Sequence, residues 1–137
     1  MDKKLLGLLI TLVLVFSLFI SFVVFEKPIQ TFTRAADESV PSSEKSLVFA
    51  WPLTTKASNN EKVMINVFIR NANNRPLSNK TVFVNTTLGN IETNPQITDK
   101  SGKATFYLTS GDPGLAEVSA SVDNQIQIKQ KVTIKFE

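Results

Sequence analysis

Residues 98–120, TDKSGKATFYLTSGDPGLAEVSA, decide the fold. Ala104, Phe106 and Leu108 fall at every second position, and so do Ala116, Val118 and Ala120. In an extended chain that spacing puts each set on one face. Thr98 to Gly102 and Gly111 to Gly114 punctuate the two runs with turn-forming residues. Within the first turn, Asp99 can accept N–H bonds from its own backbone while Gly102 supplies the positive φ that a tight turn demands. Ala104 then enters its strand in register. Asp99 and Gly102 are therefore expected to be structural residues.

The same period extends in both directions. Upstream it takes in Leu47, Phe49, Trp51 and Leu53, then Val63, Ile65, Val67 and Ile69, then Val82 and Val84; downstream it takes in Val122, Ile126, Ile128, Val132, Ile134 and Phe136, with Gln130 in a polar slot. Turn signals separate the runs at Ser58-Asn59-Asn60, Asn71 to Pro76, Gly89-Asn90 and Asp123-Asn124. No stretch after residue 46 sustains helical spacing. Six or seven short strands in residues 46–137 predict an all-β fold, an antiparallel immunoglobulin-like β-sandwich. Phe49, Val67, Val84, Phe106 and Val118 are expected to form its inward row. There is no Cys, and Trp51 sits on the first strand, so the buried disulfide and tryptophan of antibody domains have no counterpart.

The stretch from Thr98 to Ser110, followed by Gly114 to Ala120, resembles bacterial immunoglobulin-like domains of the invasin/intimin group, the Big-1 type. Their "TDxxGxAxxxLxS" turn and strand leads into a "GxxxVxA" strand, and each fixed position is present. Val67 to Val82 is similar to the strand, Asn-rich turn ending in Pro, and following strand of the same group, with Asn74 where Gly is usual. Asn tolerates a left-handed backbone. Carboxypeptidase-regulatory and transthyretin-like sandwiches share the "TDxxG" turn and are the alternative. The resemblance covers residues 46–137 in a single copy and implies an extracellular spacer, stalk or adhesive module.

Ahead of this domain the chemistry changes. Leu5 to Phe25 are 21 residues without a charge, enough helix to cross the roughly 30 Å hydrocarbon core of a bilayer. A transmembrane helix over 5–25 is expected, with Leu5, Leu12, Phe16, Phe19 and Phe25 among its anchoring residues. The run exceeds the roughly 7–15 residues of a signal-peptide core, which favours an uncleaved signal anchor. Lys3 and Lys4 keep residues 1–4 in the cytoplasm by the positive-inside rule, and the rest is exported. Gly7/Thr11 and Ser17/Ser21 form small-xxx-small pairs of the kind that lets helices approach, which leaves a homo-oligomer open. Residues 26–45, with Pro28, Pro41 and mixed charge, read as a flexible linker.

Composition narrows the function. With no His and no Cys, the chain has no imidazole base, thiol nucleophile or Cys/His metal site. Ser101 and Lys103, the nearest thing to a Ser/Lys pair, lie in a turn with no sign of a pocket, so no catalytic residue is assigned. Asp99, Asp112 and Asp123 would form a calcium site only if their separate loops met at one end of the sandwich; no D-x-D-x-D string supports it, and neither metal nor cofactor is expected. Residues 46–137 hold ten bases against seven acids, too small an excess to imply nucleic acid. Lys129, Lys131 and Lys135 share a polar strand face and read as protection against edge pairing. Asn79 and Asn85 open N-x-[ST] acceptor sequences.

The expectation is a non-enzymatic, membrane-anchored extracellular domain with a structural or adhesive role. Its partners are the bilayer, through residues 5–25, and a protein or other component of the cell envelope. A pilin-like subunit and an accessory domain of a membrane-bound hydrolase are the alternatives.

Overall fold

The computed structural model describes residues 2–22 and 39–137 in full, and the chain divides into two compact units, Met1–Asp37 and Glu38–Glu137. The first unit is a helix, α1, bounded by Lys3 and Ser39. Its described apolar part, Lys3–Phe22, has a mean hydropathy of 2.8, and none of it is buried against the protein. Leu5, Leu12, Phe16 and Phe19 are all more than half exposed; Phe25 and the part of the expected linker up to residue 38 lie outside the described residues. Thr11 Oγ1 donates to the carbonyl of Gly7 at 2.9 Å, so its hydroxyl is satisfied within the helix.

The second unit is two sheets packed face to face. Its strands are β1 (Leu47–Trp51), β2 (Thr54–Thr55), β3 (Ser58–Phe68), β4 (Thr81–Thr86), β5 (Asn90–Glu92), β6 (Gln96–Ile97), β7 (Lys103–Ser110), β8 (Gly114–Val122), β9 (Ile126–Gln127) and β10 (Val132–Phe136). One sheet has the order β1-β3-β7-β5; the other runs β2-β10-β8-β4-β6, with β9 also paired to β8. All pairings are antiparallel except β2 with β10. Inward residues of both sheets, among them Ile65, Phe106, Leu108, Val118, Ile134 and Phe136, merge into one core at 0–1% exposure. This is the expected immunoglobulin-like sandwich.

Two runs that alternate without a break in the sequence are broken in space. The first strand ends at Trp51 because Pro52 has no N–H to continue the ladder with β3. The chain then crosses to the other sheet as β2. The last run splits into β9 and β10, and between them Gln130 turns its side chain to accept the N–H of Val48 at 3.3 Å, capping the free edge of β1.

The phase of β1 is a correction. Phe49, expected in the inward row, is 49% exposed and Val48 is fully buried, whereas Val67, Val84, Phe106 and Val118 do face inward. Residues 47–53 carry apolar side chains at both parities, Val48 and Ala50 as well as Phe49 and Trp51. Period two therefore cannot choose between the faces, and the register with β3, which pairs Val48 with Val67, does.

The hydrogen-bonded frame also begins ahead of Ser46, where the alternation starts. Ser42 N–H donates to the carbonyl of Arg70 at 2.8 Å, and Lys129 N–H to that of Ser43 at 3.1 Å. Ser46 is itself buried and exchanges bonds with the backbone of Arg70.

Candidate interaction surface

The turn before β7 is built around one oxygen. Asp99 Oδ1 accepts from Ser101 N–H at 2.8 Å, Ser101 Oγ at 2.6 Å and Lys103 N–H at 3.0 Å. The Ser101 hydroxyl is thereby committed to the turn. The bond from its side chain, then the one from the Lys103 backbone, hold the Asp99 carboxyl below its ordinary value. Gly102 has φ +73, and its N–H closes the turn onto the carbonyl of Asp99 at 2.9 Å. A Cβ there would lie 2.6 Å from the carbonyl oxygen of Ile69, so the glycine also lets the turn dock against the end of β3.

The β3–β4 connection is pinned beside it. Asn71 is 1% exposed, and its Oδ1 accepts the N–H of Arg75 at 2.9 Å, while Asn74 takes the left-handed φ of 64° at the position where the family has Gly. Thr98, also buried, donates from Oγ1 to the carbonyl of Leu77 at 2.7 Å and accepts from the N–H of Lys80 at 2.9 Å. These groups bond chiefly to the protein's own backbone, which accounts for the turn as a structural element.

The other polar candidates are dispersed. Asp99 and Asp123 stand at the end of the sandwich where β7 begins and β8 stops; Asp112 lies at the opposite end, between β7 and β8. Among the described residues no three acidic side chains come together. Asp112 borders an open polar depression of about 510 Å³ shared with Asn59, Asn90 and Thr109, with no second carboxylate. Each lysine of the expected cationic row faces a carboxylate: Lys129 meets Glu44 at 3.4 Å, Lys131 meets Glu117 at 2.8 Å and Lys135 meets Glu137 at 2.6 Å. Asn79 and Asn85 are both exposed.

What stands out is the outer face of the four-stranded sheet. The register aligns Trp51 with Met64 and Met64 with Tyr107, a row across β1, β3 and β7. Phe49 packs edge-on against Phe68 beside it, ring centroids 5.9 Å apart at 74°. Trp51 is 77% exposed, Met64 40% and Tyr107 38%. The polar side chains of this face bond to each other, Thr105 Oγ1 donating to Asn66 Oδ1 at 2.9 Å. At its margin Lys62 Nζ and Glu92 form an ion pair at 2.9 Å. The outward positions of the other sheet are mostly polar, among them Asn85, Glu117, Ser119, Ser121, Thr133 and Lys135, with Phe83, Ile97 and Leu115 as its apolar members. Period counting overlooked this surface, although Met64 and Tyr107 occupy the outward slots of their runs and both parities of residues 47–53 are apolar.

Similarity to known proteins agrees with this architecture. Among curated protein sequences there is no match to the chain. The D0-D1 domain of intimin is similar over 73% of this chain and 50% of its own, at 28% identity and a TM-score of 0.62. Invasin, a bacterial integrin-binding protein, is 28% identical over 72% of this chain and 20% of its own, with a TM-score of 0.65. The adhesin InvE of Yersinia pseudotuberculosis is 25% identical over 72% of this chain and 28% of its own, with a TM-score of 0.64. The chain thus spans half or less of the length of these structures. Residues 50–137 match the family described as the bacterial Ig-like domain, group 1. With that match covering most of its length, on a sandwich of the same build, the chain belongs to the bacterial Ig-like domain (group 1) family.

Proposed function

We propose that this chain is a single-pass surface protein whose Ig-like unit supports or binds a protein partner outside the cell, without catalysis. The observation that carries the reading is the likeness of its β-unit to domains of intimin, of the integrin-binding invasin and of the adhesin InvE. The anchor is read from Lys3–Phe22, whose apolar side chains are unburied and whose length suits a bilayer. Leu5, Leu12, Phe16 and Phe19 meet lipid, and Phe25 continues the same span. Lys3 and Lys4 hold the amino terminus in the cytoplasm, and the β-unit is displayed outside.

Protease added to intact cells, or to right-side-out spheroplasts, is expected to remove an epitope fused at Glu137 and to spare one at Asp2. The reverse pattern would invert the orientation and remove the basis for adhesion. Cells carrying and lacking the chain are then compared for adherence to protein-coated surfaces. Equal adherence, with the epitope displayed, would reduce the role to a structural one.

A further inference from the structure

We propose that the outer face of the four-stranded sheet is a self-association surface, covered by the same face of a second copy of this chain. This goes beyond the adhesive reading and stands on the β-unit alone. A sandwich buries one face of each sheet and leaves the other to water, so outward positions are ordinarily polar. The second sheet follows that rule at most outward positions, Phe83, Ile97 and Leu115 apart, whereas the first gathers Phe49, Trp51, Met64 and Tyr107 together on its solvent side. Trp, Tyr, Phe and Met are the residue types enriched at protein interfaces. The core needs none of them, since Val48, Val63, Ile65 and Phe106 already fill the inner face of the same three strands.

The area fits a second copy. An aromatic side chain can bury about 150–250 Å², so at these exposures the four side chains offer roughly 400 Å² of apolar surface per copy. A standard interface takes about 800 Å² from each partner and is a little over half apolar. Polar rim residues around the row make up the remainder. Symmetry fits as well. A two-fold interface sets a surface against itself and fails where an unpaired charge meets its own image. Here the middle of the face is neutral: Asn66 and Thr105 satisfy each other at 2.9 Å, and the marginal charges Lys62 and Glu92 are already paired at 2.9 Å. Covering the row with itself therefore buries no unpaired charge at its middle, and Lys103, the outward residue beside Phe68 at the start of β7, falls at the end of the face.

Trp51 is the sole tryptophan, and there is no cysteine, so the face can be probed without interference. The full chain in a density-matched non-ionic detergent is examined by sedimentation and by Trp51 emission across concentration. The expected result is a dimer whose formation shifts the emission to the blue. Trp51→Lys with Tyr107→Lys is expected to weaken association at least about tenfold, since buried aromatic anchors carry most of an interface's energy, with the circular dichroism unchanged. In membranes, Asn66→Cys is expected to give a dimer with a short bis-maleimide, and Ser119→Cys on the other sheet is not. Four results would overturn the proposal: a monomer throughout; a dimer indifferent to the double lysine variant, which would place the seam in the apolar helix; no cross-link through residue 66; or quenching of Trp51 by brominated lipid in vesicles, which would mean the bilayer covers the face.

Discussion

The side-chain amide of Asn94 takes the place of a strand against Val84, donating from Nδ2 to its carbonyl at 2.7 Å and accepting its N–H on Oδ1 at 3.1 Å. β6 pairs with β4 only at Thr81 and Val82, so Asn94 extends the pairing to Val84, two residues further on, where the backbone has turned away. Asn94→Ala would leave both backbone groups of Val84 to find water at a part-buried edge. A loss of about 1–2 kcal/mol is expected, read as a lower urea midpoint for the chain in detergent. Asn94→Asp should fare no better, because it sets a carboxylate oxygen against the Val84 carbonyl.

Gly102→Ala tests the turn in a different way. The left-handed φ costs a side chain about 1–2 kcal/mol, and the overlap with the Ile69 carbonyl adds about 1–3 kcal/mol. A destabilisation on the order of 3 kcal/mol is expected from thermal unfolding. A change below 1 kcal/mol would mean that the end of β3 yields freely.

Phe106 and Phe49 form a matched pair for the phase of β1. Phe106 is fully buried, and truncation to Ala should cost about 3–5 kcal/mol. Phe49→Ala, on the outer face, should cost less than about 1 kcal/mol in the monomer. Comparable losses at the two sites would place Phe49 in the core after all.

Acid should loosen the Asp99 turn. Its carboxyl is held below the ordinary value of 3.8 by its hydrogen bonds, so the folded state binds a proton less readily than the unfolded one. The stabilisation is then complete above the ordinary carboxylate range and is lost as pH falls through the lowered folded value. Glu137, held low by Lys135 Nζ, behaves alike. Asp99→Asn should flatten the fall in stability between neutral pH and pH about 3, and added salt should weaken the part due to Glu137 more than that due to Asp99, whose attraction to Lys103 is the least of its causes. An unchanged acid slope in Asp99→Asn would exclude the turn as its source.

Much of this was legible in the sequence because it depends on near neighbours. The alternation of Ala104, Phe106 and Leu108, the Asp99/Gly102 turn and the apolar run from Leu5 are each written within one segment. The phase of β1 is not, since Val48 and Phe49 are equally apolar and only the register with β3 separates them. Nor are the roles of Asn71, Asn94 and Gln130, each polar and unremarkable in sequence, whose amides meet backbone that is fixed only after the sheets assemble. The aromatic outer face escaped for the same reason. Its members come from three separate strands, and cross-strand pairing brings them together.

The crossing of the chain at Pro52 governs how the β-unit carries load. β2 enters from the amino-terminal side and lies parallel to β10, near the carboxyl end, through bonds from Lys135 N–H to Leu53 at 2.8 Å, Glu137 N–H to Thr55 at 2.9 Å and Ala57 N–H to Glu137 at 2.7 Å. A pull from the amino-terminal side against one beyond β10 drags these parallel strands past each other along their length. The bonds must then break together, not one at a time as in an unzipping hairpin. The two-residue β2 and the five-residue β10 thus form a shear clamp, which tension from the amino-terminal side reaches after β1 and its pairing with β3.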